Sequence, residues 1–178
     1  TPQIGTITPA SGTGQKETPQ IFATTYIDGD GWQNIQYVYF LINTSSSSNS
    51  NCLYVYYNQN TNLLYLRNDA NTAWSGGYAP GSNNIIENSY AKLNCLSTSI
   101  NGSGTALTVN WSVVIKAPLT GTNNTYLYVK DDVNAYVNWT QKGTWDISNQ
   151  TPSVGTITPS SGVSTPDQTV NFTTTYSD

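Results

Sequence analysis

The chain has no histidine and no methionine, only two cysteines, and a charged fraction of 9%. Without histidine there is no Ser-His-Asp or Cys-His arrangement, so nucleophilic triads are excluded. Two isolated cysteines with no imidazole anywhere also fall short of a usual four-ligand zinc site. Lys and Arg number six and nowhere cluster, and the net charge is −4, so the electrostatic footprint that holds phosphates is missing and nucleic acid is excluded as a partner. No window approaches eighteen uninterrupted apolar residues, which argues against membrane insertion, and no signal-peptide pattern stands at Thr1. Helical periodicity is absent too, because Gly, Pro, Asn, Ser and Thr interrupt every segment that might sustain a 3.6-residue apolar period.

What the chain does have is a repeat. Thr1–Asp28 reads TPQIGTITPASG…FATTYID, and 150 positions later Thr151–Asp178 reads TPSVGTITPSSG…FTTTYSD, with nine identities in the opening twelve positions and five in the closing seven. A phase kept over that distance marks a repeated structural unit. At 178 residues and 37% apolar content, the chain can bury one sizeable core but hardly two. The expectation is one complete domain over 1–150 and the first two strands of the next over 151–178, a window on a tandem array. Asn, Ser, Thr and Tyr take the place of charge, a composition that fits a secreted, extracellular or cell-surface β-protein and gives little electrostatic protection from self-association.

Period two runs throughout. In Ala106–Lys116, Leu107, Val109, Trp111, Val113 and Ile115 face one way and Thr108, Asn110, Ser112 and Lys116 the other, which predicts a strand with one wet face. Similar runs predict strands at Gly5–Thr8, Ile21–Ile27, Ile35–Asn43, Cys52–Tyr57, Leu63–Asn68, Tyr90–Leu96, Thr125–Lys130 and Gly143–Ile147, with a turn at Gln59–Asn62. Short strands at short spacing predict an all-β fold, a two-sheet antiparallel sandwich. Ser45–Ser50 and Trp74–Asn84 read as loops.

Three segments, IGTITPASG from Ile4, TTYIDGDGWQNI from Thr24 and TYLYVKDDVNAYVNWTQKGTWDI from Thr125, resemble bacterial immunoglobulin-like repeats of the cadherin-like and TIG-like kinds, found in large extracellular surface or filament proteins. The resemblance covers about half of the repeat unit. It implies an immunoglobulin-like antiparallel β-sandwich and a structural role as a stalk, adhesin spacer or filament unit. It also implies that the loop holding Asp28 and Asp30 and the loop holding Asp131 and Asp132 share one end of the sandwich. Asp178 repeats Asp28. Asp-Gly-Asp-Gly offers alternating oxygens, to which Asn34 or Asn134 can add carbonyls, so Ca²⁺ is a candidate ion at a junction between units. Asp-Gly is equally ordinary turn chemistry, and no Glu stands twelve positions on to complete an EF-hand loop.

Cys52 and Cys95 are each at the edge of an apolar run. In an exported protein a disulfide between them would restrict the unfolded chain by roughly 3–4 kcal/mol; the alternative is a pair of buried thiols. Glu87, Asp69 and Glu17 belong to no motif that suggests a catalytic cleft, so no enzyme is expected. With thirteen Tyr and five Trp, a carbohydrate-binding module is the second reading, with Trp32, Trp74 and Tyr78 as candidates and polysaccharide as the partner, while Trp111, Trp139 and Trp145 fill the core or cover its edge. The seven Asn-x-Ser/Thr sequons are about what a chain this rich in Asn, Ser and Thr carries by chance. The leading expectation is head-to-tail packing, in which residues 151–178 supply first strands to the 29–150 body of a neighbouring copy.

Overall fold

A computed structural model describes residues 1–148 and 152–177. They belong to two compact units, Thr1–Ser148 and Asn149–Asp178. In the first unit the strands are β1 (Pro2–Thr8), β2 (Ser11–Gln15), β3 (Pro19–Asp28), β4 (Ile35–Asn43), β5 (Leu53–Asn58), β6 (Leu63–Arg67), β7 (Trp74–Tyr78), β8 (Ile85–Glu87), β9 (Ala91–Asn94), β10 (Ser99–Ser103), β11 (Ala106–Ile115), β12 (Gly121–Asp131) and β13 (Tyr136–Ser148). One sheet runs β1-β3-β11-β9-β8, with β10 paired to β11; the other runs β2-β13-β12-β4-β5-β6-β7. This is an immunoglobulin-like sandwich, and β5 and β6 extend the second sheet as the extra strands of a variable-type domain do.

The N-terminal run serves both sheets. Pro2–Thr8 pairs antiparallel with β3, and Ser11–Gln15 then pairs in parallel with β13. Alternation along β11 buries Leu107, Val109, Trp111, Val113 and Ile115 as its period requires. Phe22 and Tyr26 of β3 and Val38, Phe40 and Ile42 of β4 complete the centre of the core. The Phe22 ring lies 5.2 Å from that of Phe40 and 4.8 Å from that of Trp145. Each such side chain contributes about 1.5–3 kcal/mol by leaving water. Two buried polar groups find partners: the Trp111 indole N–H donates to Thr24 Oγ1 at 2.8 Å within one sheet, and the Tyr26 hydroxyl donates to the Tyr39 carbonyl at 3.0 Å, tying the two sheets together.

The predicted turn is present, closed by the Asn62 amide on the Gln59 carbonyl at 3.2 Å. The expected loop over Trp74–Asn84 needs correction, because its first five residues form β7 against β6. Its glycines concealed it: Gly76 and Gly77 have φ of 126° and 85°, so the strand bends where β-propensity is lowest. The alternation does not predict β2, β8 or β10 either, since SGTGQ and SINGS carry too little apolar pattern and IIE is only 3 residues long. Backbone pairing with well-marked neighbours makes them strands.

Candidate functional site

The second unit consists of β14 (Ser153–Thr158) and β15 (Thr173–Ser177). Its register repeats that of β1 on β3 at the offset of 150. Val154 faces Tyr176 and Ile157 faces Thr174, as Ile4 faces Tyr26 and Ile7 faces Thr24, with the same irregularity between the two pairs. A side-chain bond recurs as well, the Thr156 amide donating to Thr175 Oγ1 at 3.0 Å where the Thr6 amide donates to Thr25 Oγ1 at 2.7 Å. Surroundings set the two apart. Ile7, Phe22 and Tyr26 are 4%, 0% and 0% exposed, whereas Ile157, Phe172 and Tyr176 are 48%, 62% and 74% exposed. Beside them lies a hollow of about 430 Å³, lined by Ile157, Pro159, Gly162, Val163, Val170 and Phe172 among others. An isolated pair of strands is marginal in water, and a contiguous exposed apolar face marks an interaction surface.

A second feature covers the outer face of the larger sheet. Tyr128, Tyr39, Tyr56 and Tyr65 stand directly opposite one another on β12, β4, β5 and β6. Tyr37, Tyr54, Trp74 and Trp139 adjoin that row. Tyr56 and Tyr65 stack at 4.6 Å and 8°, and Trp74 meets Tyr54 and Tyr56 edge-on at 4.8 and 4.5 Å. The Arg67 guanidinium lies 4.8 Å from the centre of the Trp74 ring. These rings use their faces on one another and form no coplanar platform. Burial pushes the Tyr54 and Tyr56 phenols up to about 12 and raises Tyr39 further. Tyr39, Tyr54, Tyr128 and Trp139 enclose a depression of about 210 Å³ whose surface is mainly polar. The sequence carried the signal: tyrosines at i and i+2 on β4 and β5 alternate with fully apolar partners, so they had to point outward.

The expected carbohydrate residues do not meet. Trp74 joins the aromatic face, Trp32 sits in a one-turn 3₁₀ helix, Trp32–Asn34, half-buried over Gly102, and Tyr78 ends β7 42% exposed. Trp111 and Trp145 are core residues as expected, while Trp139 lies on the outer face.

The acidic residues are held mainly by turns. Asp28 is buried; its Oδ1 accepts the Asp30 amide at 2.9 Å, and its Oδ2 has no partner among the described residues. The Thr1 backbone nitrogen stands 3.7 Å from Asp28 and 3.8 Å from Asp30. Asp131 Oδ1 accepts the Val133 and Ala135 amides, and Asp132 accepts from Asn60 at 2.7 Å. The Asp132 amide bonds to the Asn34 carbonyl at 2.9 Å, so the two loops do adjoin. Among the described residues, however, no three acidic, Cys or His side chains form a metal cluster. Asp178 lies outside the described residues. Glu87 pairs with Lys116 at 3.0 Å, which lowers its pKa, and Asp69 and Glu17 accept the Ser89 and Ala117 amides.

The expected disulfide is not formed. Cys52 and Cys95 are free, buried thiols in separate hydrophobic clusters, Cys52 with Leu41 and Tyr126, and Cys95 in the main core. Strand alternation sends the two side chains into different packing layers. No described helix is long and apolar enough to cross a membrane.

No protein-family model and no curated protein matches the chain. Among solved structures it is similar to murine CRIg, at 14% identity and a TM-score of 0.36, over 85% of this chain and 99% of that one.

Proposed function

We propose that the chain is a structural unit of an extracellular linear assembly, in which Thr151–Asp178 opens a second sandwich and is completed by a body equivalent to Gly29–Ser148. One observation carries this reading: β14 and β15 repeat the register of β1 and β3 while Ile157, Phe172 and Tyr176, equivalents of core residues, stay exposed. Covering a face of this kind favours association by about 1.5–3 kcal/mol per side chain. A contact between unlike faces propagates head to tail. The role is mechanical, and no catalytic group takes part in it. The resemblance to bacterial surface and filament repeats fits this reading.

The native mass on a reducing denaturing gel, set beside negative-stain images, tests it. A very large chain with beads at regular spacing supports a covalent array, and filaments of small subunits support strand exchange between copies. Small monomeric particles overturn the assembly. Calcium at Asp28 and Asp30 is an accessory proposal: millimolar Ca²⁺ that raises Tm in the parent chain but not in Asp28→Asn supports it, and an unchanged Tm removes it.

The depression among Tyr39, Tyr54, Tyr128 and Trp139 favours a second reading, a polysaccharide subsite, because phenol and indole groups can bond sugar hydroxyls there. Retardation in polysaccharide-containing native gels, lost in Trp139→Ala, tests it; equal mobility of both proteins removes it.

A further inference from the structure

Trp145 fastens the last strand of the first unit to the first. Its ring lies 4.8 Å from that of Phe22, and Gly12 passes so close that an added Cβ would come within 2.7 Å of the indole. The parallel pairing of β2 with β13 sets Gly12 directly opposite Trp145. Phe22, Gly12 and Gly14, which face the indole, correspond at the offset of 150 to Phe172, Gly162 and Ser164. All three of these line the hollow of about 430 Å³ in the second unit.

We infer that this hollow is a socket for a tryptophan indole, supplied by the β13 equivalent of a second copy of the Gly29–Ser148 body. The inference rests on the reading that the hairpin opens a second sandwich, and it names the side chain that anchors the partner. The chain's own Trp145 is not available for the role, because it is 7% exposed and committed to the first core. Of the two departures from the first unit, one shifts the indole and the other suits it. In the first unit the Trp145 N–H is buried without a partner among the described residues and an added Cβ at Gly14 would come within 2.4 Å of it, so Ser164, in the place of Gly14, requires the indole of the second unit to sit further from that backbone than Trp145 does. Val170 replaces Gln20, removing from the socket wall an amide whose oxygen is also buried and unpartnered. The socket is thus more apolar along its side, and its indole is displaced from Ser164 relative to the place that Trp145 takes beside Gly14.

The test is the full chain continued after Asp178 by a second Gly29–Ser148 segment. The appended body is expected to unfold cooperatively, and Trp145→Ala within it, or Phe172→Ala, is expected to lower its Tm by roughly 10 °C while the first unit is unmoved. In Trp145→Phe of the appended body, the emission lost relative to the parent is expected to be blue-shifted and resistant to acrylamide. An appended segment that stays unfolded and protease-sensitive overturns both the assembly reading and the socket. An appended body that folds, yet whose Trp145 emits as a solvent-exposed indole and whose Tm ignores Trp145→Ala, overturns the socket alone.

Discussion

Burial pushes the Cys52 thiol up to about 12 and raises Cys95 as well, so neither is a thiolate near neutral pH. Both thiols are expected to resist a thiol reagent in the native protein and to react together on unfolding, which a colourimetric thiol titration with and without denaturant measures. The tyrosines of the outer face set a pH limit. Tyr54 and Tyr56 titrate near 10 when unfolded and at about 12 when folded, burial being the main cause. Between those values the unfolded chain holds fewer protons, so stability falls as pH rises. The stabilisation is complete below about pH 10 and is lost progressively towards pH 12. Thermal melts across this window, read beside tyrosinate absorbance, are expected to show Tm dropping in step with phenol ionisation. A Tyr54→Phe, Tyr56→Phe variant is expected to flatten that slope.

At the scale of the element, β13 is a strand whose pairing depends on one absent side chain. An added Cβ at Gly143 would collide with the Ala10 backbone carbonyl, which cannot rotate away. Gly143→Ala is therefore expected to lower stability by about 1–3 kcal/mol, measured by urea unfolding of the full chain. Ala at Gly29, where added atoms meet open space, is the control and is expected to leave the midpoint nearly unchanged. This contrast shows why β2 was invisible in the sequence. Its identity rests on close approach and pairing with β13, and neither leaves an apolar pattern.

Across the whole molecule, equivalent residues have different surroundings. Phe22 is fully buried and Phe172 is 62% exposed, at positions 150 apart. Phe22→Ala is expected to destabilise the 1–148 unit by about 3–5 kcal/mol, through lost burial and the cavity left behind. Phe172→Ala is expected to leave that unit's Tm unchanged and to reduce self-association, because every residue of the main core cluster lies within 1–148. Calorimetry and sedimentation of the two variants separate these effects.

The sequence by itself determined the all-β class, the alternation that fills the core from β3, β4 and β11, the turn at Gln59–Asn62 and the return of the Thr1–Asp28 pattern over Thr151–Asp178. Those features are local or periodic, so they are written where they act. Only the tertiary structure decided that Cys52 and Cys95 occupy different clusters, that Trp74 and Trp139 belong to one aromatic face while Trp32 does not, and that the second hairpin keeps the register of the first without its cover. Each of these depends on which strands become neighbours across a sheet or between sheets. That choice is made by pairing and packing over long sequence separations, which no short window of residues contains.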